Sequence, residues 1–460
     1  MSKLIHGKRI VSSFGAFAVL LMLFIGINNA VAIGYNGTIF TAGYYGSGTD
    51  TPEDPATLSD VIPAYHPEDA SLDDYVVEVY VVGSDNDAQI RIAISTNGGS
   101  SFSTFEWVAY DPEVKQDYPD VQLYEDVTDN YIVKAIVVWQ ERPDDDSEQW
   151  EIKAREREFQ TNTWKTVKDV SDTGYQENDN ANIYPKISTC SDNGASYWNI
   201  VWQRKWDGVN TYGIYMRRYI KDNNPGSFNS IVTIAQPSDN DDDFKHPATD
   251  CIPYSNNYEM IYIIYDEYHS GDTPDNIIKL KMGYPAGSAR GAFSVSGNVD
   301  VNTSDDGDLS QDFPDIAVVE SDDGKNIIVD CVWIENIDNN DEVKYKRSTN
   351  GGTSFSENYQ ISDDGYMSLR SVAVDSFVSP TVTGSVERCH VVWTTSTDVY
   401  FRDRFGIDGS WGFFGSQTDG ATTQYSETFV DVSTSATSPS VITSYAVWQA
   451  DGTAVFYGYT

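Results

Sequence analysis

Carboxylates dominate the chemistry that this chain could perform. Its 460 residues hold 70 Asp and Glu against 30 Lys and Arg, a formal net charge of −40. The acids gather in polar tracts between apolar runs: Asp144-Asp145-Asp146, Asp239 to Asp243, Ser304 to Asp308, Asn336 to Glu342, and Ser362 to Gly365. Clustered Asp and Asn with an interposed Gly is what a hard oxygen-ligand cation such as calcium requires, and Asp241, Asp243, Asp305, Asp306, Asp308, Asp363 and Asp364 are the candidate ligands. None of these tracts has EF-hand spacing, in which Gly stands sixth. Ordinary solvated turns in an acidic protein account for the same residues. A surface of this sign repels nucleic acid and acidic membranes and favours cations or basic partners.

Other chemistries find less support. A glycosidase needs two carboxylates held a few ångströms apart, and with 70 acids the sequence nominates no pair. His66, His246, His269 and His390 lie in separate stretches without His-x-x-x-His spacing, which argues against zinc. There is no Gly-x-Ser-x-Gly elbow, no phosphate loop and no haem-attachment motif. No catalytic residue is identified, and an enzyme is not excluded.

The elements that would position such residues are strands joined by turns. The octapeptide Ser95-Thr96-Asn97-Gly98-Gly99-Ser100-Ser101-Phe102 returns as Ser348-Thr349-Asn350-Gly351-Gly352-Thr353-Ser354-Phe355, each copy after a strand-like run. Gly tolerates positive φ and Asn or Ser bonds its own backbone, so this is a chain-reversing hairpin with a terminal aromatic to plug it down. It resembles the Asp-box (BNR) hairpin of sialidase-like β-propellers. Asn97 and Asn350 stand at the Asp position, Ser101 and Ser354 at the Thr position, Phe102 and Phe355 at the Trp position, with Ser95, Gly99, Ser348 and Gly352 completing the pattern. The resemblance implies architecture rather than chemistry. Enzymes of that family carry a Phe/Tyr-Arg-Ile-Pro motif, absent here, and an arginine triad, and no catalytic residue transfers.

An apolar strand ending in an aromatic recurs at Ala135 to Trp139, Asn199 to Trp202, Ile261 to Tyr265, Asp330 to Trp333, Cys389 to Trp393 and Tyr445 to Trp448, with Val76 to Val82 as a first member lacking the Trp. The spacing of about 60 residues predicts seven four-stranded antiparallel units, an all-β, seven-bladed β-propeller. Six blades, the number in the sialidases, is the alternative. The predicted blades run 56–115, 116–180, 181–243, 244–308, 309–365, 366–422, and 423–460 together with 33–50. The last unit supplies only three strands, so Thr38 to Ala42 is expected to complete it and cover its open edge. Inner strands are expected to follow a proline, as at Tyr118-Pro119, Tyr184-Pro185, His246-Pro247 and Phe313-Pro314, and Lys165 to Val167 exemplifies the short fourth strand.

Basic residues concentrate in the third strands, among them Arg155, Arg157, Arg217, Lys281, Lys346 and Arg402, where structural charge pairing is the expected role. Cys190 with Cys251, and Cys331 with Cys389, are each about one repeat apart, which allows inter-blade disulfides or buried free thiols. Asn36 and Asn302 open glycosylation sequons. Residues 1–32 read as a signal peptide or an uncleaved amino-terminal anchor: Lys3, Lys8 and Arg9, an apolar stretch from Ile10 to Ile27, then Ala30-Val31-Ala32. These features predict a secreted or cell-surface binding module for a glycan or an extracellular protein. A sialidase-like glycoside hydrolase and a self-associating filament or surface-layer subunit are the alternatives. Membrane contact is expected only through the amino-terminal segment.

Overall fold

Alternating side chains bury both faces of most strands, which explains the near-continuous apolar runs. In Ile132–Pro143, Ala135, Val137 and Trp139 join a core with the preceding sheet, while Ile136 and Val138 join one with the following sheet. The computed structural model describes residues 38–41, 57–62, 75–83, 88–97, 102–126, 129, 132–143, 149–171, 181–192, 195–205, 211–221, 226–237, 242–254, 258–269, 275–285, 293–295, 297–302, 310–321, 324–337, 340–356, 358–362, 369–381, 384–395, 399–406, 411–417, 427–438, 441–450 and 453–459. Residues 1–32, expected to be a leader, and most of the acidic tracts, including Asp241, Asp305, Asp306, Asp308, Asp363 and Asp364, lie outside these residues.

Every regular element among the described residues is a strand, and the strands form seven antiparallel sheets. β1 is Thr38–Thr41. The first sheet holds β2 (Thr57–Ile62), β3 (Tyr75–Val82), β4 (Gln89–Ser95) and β5 (Thr104–Trp107). The second holds β6 (Val114–Asp126), β7 (Ile132–Pro143), β8 (Glu151–Glu158), β9 (Thr163–Trp164) and β10 (Lys168–Asp169). The third holds β11 (Asn182–Asp192), β12 (Ala195–Lys205), β13 (Tyr212–Lys221), β14 (Ser227–Phe228) and β15 (Val232–Ala235). The fourth holds β16 (Asp242–Tyr254), β17 (Tyr258–His269), β18 (Asp275–Pro285), β19 (Phe293–Val295) and β20 (Val299–Asp300). The fifth is β21 (Ser310–Glu320), β22 (Ile327–Ile337), β23 (Asn340–Ser348) and β24 (Tyr359–Gln360), and the sixth β25 (Leu369–Thr381), β26 (Gly384–Thr395), β27 (Val399–Phe405) and β28 (Trp411–Gln417). In the seventh, β29 (Glu427–Ser438), β30 (Val441–Ala450) and β31 (Thr453–Tyr459) are joined by β1, with Thr38 opposite Gly458 and Thr41 opposite Val455.

The aromatic-ended runs are the second strands. Trp139, Trp202, Tyr265, Trp333 and Trp393 are fully buried, each in a core shared by neighbouring sheets, where such a side chain contributes roughly 2–3 kcal/mol. First strands pack on first strands: β2 on β6, β6 on β11, β11 on β16, β16 on β21, β21 on β25, β25 on β29, and β29 on β2.

Three details differ from the sequence reading, and the cysteines settle an alternative that it left open. The prolines do not precede the inner strands but lie within them. Lys165 to Val167 separates two short strands that both pair with β8, rather than forming one. Asn302 is buried, with Nδ2 donating to Glu335 Oε1 at 3.2 Å, so its sequon is not presented for modification. Cys190 and Cys251 are bonded, with Cα atoms 6.1 Å apart, whereas Cys331 and Cys389 are buried free thiols. The bonded pair lies on β11 and β16, first strands in direct contact, and the free pair on the second strands β22 and β26, each of which packs on the next sheet's first strand.

Candidate functional site

A proline inside a paired strand cannot donate to the ladder, and it pushes the preceding residue out of the helical region. Four first strands resolve this in the same way. The pairs Tyr118-Pro119, Tyr184-Pro185, His246-Pro247 and Phe313-Pro314 bulge out of β6, β11, β16 and β21, two residues facing the single buried aromatics Trp139, Trp202, Tyr265 and Trp333. The residue before each proline takes a positive φ: 46° at Tyr118, 54° at Tyr184, 46° at His246 and 53° at Phe313. For a bulky side chain that backbone costs on the order of 1–3 kcal/mol, and strain repeated four times needs a reason.

The reason lies in where the rings go. Tyr118 and Tyr184 meet edge to face at 4.4 Å between centroids, Tyr184 and His246 at 6.0 Å, and His246 and Phe313 at 4.3 Å. Four successive sheets thus contribute one continuous aromatic arc, with Phe313 39% exposed. Glutamines of the second strands hold it: Gln140 Oε1 accepts from the Tyr184 backbone N–H at 3.0 Å, and Gln203 Oε1 from that of His246 at 3.1 Å. The bulges stand at the end of the sheets where second strands finish and third strands begin, the end at which Asn336, Asp341 and Glu342 of the fifth sheet also lie.

Ionisable groups flank the arc. Lys115 pairs with Asp117 at 3.5 Å and Lys245 with Asp243 at 2.6 Å. Asp243 also accepts from the Tyr212 backbone N–H at 2.7 Å, so this candidate calcium ligand is already engaged. Burial pushes the Asp117 carboxyl up despite Lys115. Burial, then Asp266, raises Asp312. His246 Nδ1 lies 2.9 Å from Asp266 Oδ1, and although burial opposes its protonation, Asp266 and Asp312 raise its pKa overall. One step along the first strands, Lys186 lies 3.7 Å from Asp120, and burial pushes Asp315 up to about 6.

The third-strand cations are used elsewhere. Arg155 donates to the Val108 carbonyl, Arg217 to that of Val170 at 2.7 Å, Lys281 to Ile234, Lys346 to Val301 at 2.7 Å, and Arg402 to Ile361 at 2.7 Å. Each clasps the backbone of the preceding sheet. Arg157 pairs with Glu106 and Arg347 with Asp330, at 2.8 and 2.6 Å. These contacts extend the expected charge pairing, with backbone carbonyls taking many of the bonds expected for acids.

The Asp-box residues sit at the opposite end of the sheets. In the second copy, Ser348 Oγ donates to Asn350 Oδ1 at 2.8 Å and accepts from Gly352 N–H at 2.9 Å. Asn350 Oδ1 accepts from Ser354 N–H at 3.0 Å, Gly351 and Gly352 have φ of 69° and 81°, and Phe355 packs against the core below. In the first copy, Ser95 and Asn97 repeat the 2.8 Å bond, while Gly99 and Ser101 lie outside the described residues. Sequence reasoning missed the arc, although its signal was present: the residue before each of the four prolines is aromatic or His.

No known protein family matches the chain, and no curated protein matches it in sequence. Among solved structures it is similar to a Hadza microbial sialidase, Hz136, at 10% identity and a TM-score of 0.47, covering 85% of this chain and 74% of that one. The NanB sialidase from Streptococcus pneumoniae gives 10% identity and 0.43, covering 92% and 70%. The Aleuria aurantia lectin AAL gives 12% and 0.42, covering 75% and 94%. Likeness at this level says nothing of ligand or chemistry, which rest on the residues themselves.

Proposed function

We propose that residues 37–460 form a seven-bladed β-propeller that acts outside the cell as a non-catalytic module, binding glycan at the aromatic arc. The succession of first-strand contacts from β2 through β29 and back to β2 supports the ring. The observation that carries the function is the arc of Tyr118, Tyr184, His246 and Phe313, held by strained backbone at one end of the sheets. Rings offer flat apolar faces to the C–H faces of sugars, while flanking carboxylates and lysines bond hydroxyl groups, the usual division of labour in a ligand site. Among the described residues, Arg155, Arg217 and Arg402 of the third strands are engaged with backbone carbonyls of neighbouring sheets rather than gathered for a substrate carboxylate.

The test is a glycan-array screen of the purified protein, followed by affinity measurements on Tyr184→Ala and Phe313→Ala. Each substitution is expected to weaken binding tenfold or more, about 1.4 kcal/mol or above, with the melting temperature little changed. Unaltered affinity in both variants would place the ligand elsewhere. The proximity of Asp266 and Asp312, whose oxygens fall within 4.8 Å of each other and of the His246 nitrogen, favours a glycoside hydrolase as second reading. Release of sugar from a bound glycan, abolished by Asp312→Asn, would establish it. Concentration-dependent self-association without glycan binding would instead support a surface-layer subunit.

A further inference from the structure

We propose that His246, Asp266 and Asp312, at the junction of the fourth and fifth sheets, form a binding site for a divalent transition-metal ion of the zinc type. One ligand atom from each residue falls within 4.8 Å of the other two. The 2.9 Å between His246 Nδ1 and Asp266 Oδ1 is a hydrogen-bond length, and a small opening brings it to the roughly 3.3 Å that tetrahedral metal bonds of roughly 2.0–2.1 Å leave between donor atoms. The ion takes the place of the proton now shared by imidazole and carboxylate.

The internal repeat supplies an independent observation. Each junction of this kind has three equivalent positions: the bulged residue of one sheet, the residue after the second-strand aromatic of that sheet, and the residue before the bulge of the next. Between the second and third sheets these are Tyr118, Gln140 and Ile183, and between the third and fourth Tyr184, Gln203 and Lys245. Only the next junction replaces all three with ligating side chains. The task of the position changes too. Gln140 and Gln203 accept from the backbone of the following bulge, whereas Asp266, only 1% exposed, is turned onto the imidazole.

A buried carboxylate facing a second carboxylate is costly unless a cation lies between them. Lys245 adds positive charge only from a distance, because its ammonium pairs with Asp243 at 2.6 Å. An imidazole nitrogen with two carboxylate oxygens selects zinc and its transition-metal neighbours, whereas calcium takes oxygen alone. The site is therefore distinct from the acidic tracts read as calcium ligands. It does not depend on the glycan reading, because the test contains no sugar.

The experiment is calorimetric titration of the chelator-stripped full-length chain with zinc chloride, and separately with calcium chloride. One saturable equivalent of zinc is expected, with no calcium heat at this site. Asp312→Asn should weaken zinc binding by more than the roughly 10–100-fold that loss of a supporting contact costs, and His246→Gln should do the same if the first variant folds poorly. His269→Ala, which alters the other imidazole between carboxylates, beside Asp242 and Glu267, should bind as the parent does. Absence of saturable zinc binding, binding retained in a folded Asp312→Asn or His246→Gln protein, or loss confined to His269→Ala would each overturn the proposal.

Discussion

Glu78 is a fully buried carboxyl on β3, and neither of its oxygens has a hydrogen-bond partner among the described residues. Burial holds its pKa up to about 8, against 4.5 for an ordinary glutamate. Between those values the unfolded chain releases the proton and the folded chain keeps it, so stability falls as pH rises through the window and levels off above it. The full span corresponds to a loss on the order of 5 kcal/mol. Glu78→Met, similar in volume and without charge, is therefore expected to raise the melting temperature strongly at pH 8 and much less at pH 5. Equal gains at both pH values would separate the effect from ionisation. Single residues were the least legible scale in the sequence. His246 carries no spacing signal because its partners stand on a neighbouring strand and in the next sheet, and the Tyr118-Pro119 step read as the start of a strand because positive φ before proline is not what local sterics favour.

Turns were legible and inter-sheet bonds were not. The Asp-box hairpin is specified by its own residues: Asn350 accepts from Ser348 Oγ and Ser354 N–H, and its Nδ2 donates to Ser354 Oγ at 2.8 Å. Asn350→Ala removes all three and is expected to cost about 1–2 kcal/mol in denaturant unfolding, while Asn350→Asp, which keeps the acceptor, should recover most of it. A null result for the alanine variant would mean that the two glycines and Phe355 suffice to close the turn. The cationic clasps show the converse. Spacing by two marks Arg155, Arg217 and Arg402 as sharing the same strand position, yet their carbonyl targets at Val108, Val170 and Ile361 lie in another sheet, at a distance along the chain that no local pattern encodes.

At the scale of the whole molecule, the recurring second strands were visible because those whose side chains are described, such as β7 and β12, bury both faces, which forces an apolar run that few other elements need. The cysteines divided along the same geometry, first strands close enough to be bridged and second strands not bridged. The Cys190–Cys251 bond spans 61 residues, and constraining an unfolded loop of that length stabilises by about 4 kcal/mol in the chain-entropy account. Replacing both residues with Ser should lower the denaturant midpoint by a corresponding amount, and adding reductant to the parent should reproduce the shift. A midpoint indifferent to both treatments would mean that the inner-strand packing alone sets the stability.

The pairing of β1 with β31 also has a temporal side. During synthesis Thr38 to Thr41 are made more than 400 residues before the segment they pair with, Thr453 to Tyr459. Until then the nascent chain carries both an unsatisfied strand, β1, and an unfinished seventh sheet. A truncated translation product would keep both lesions, and so would present quality-control proteases with a handle that the finished chain conceals.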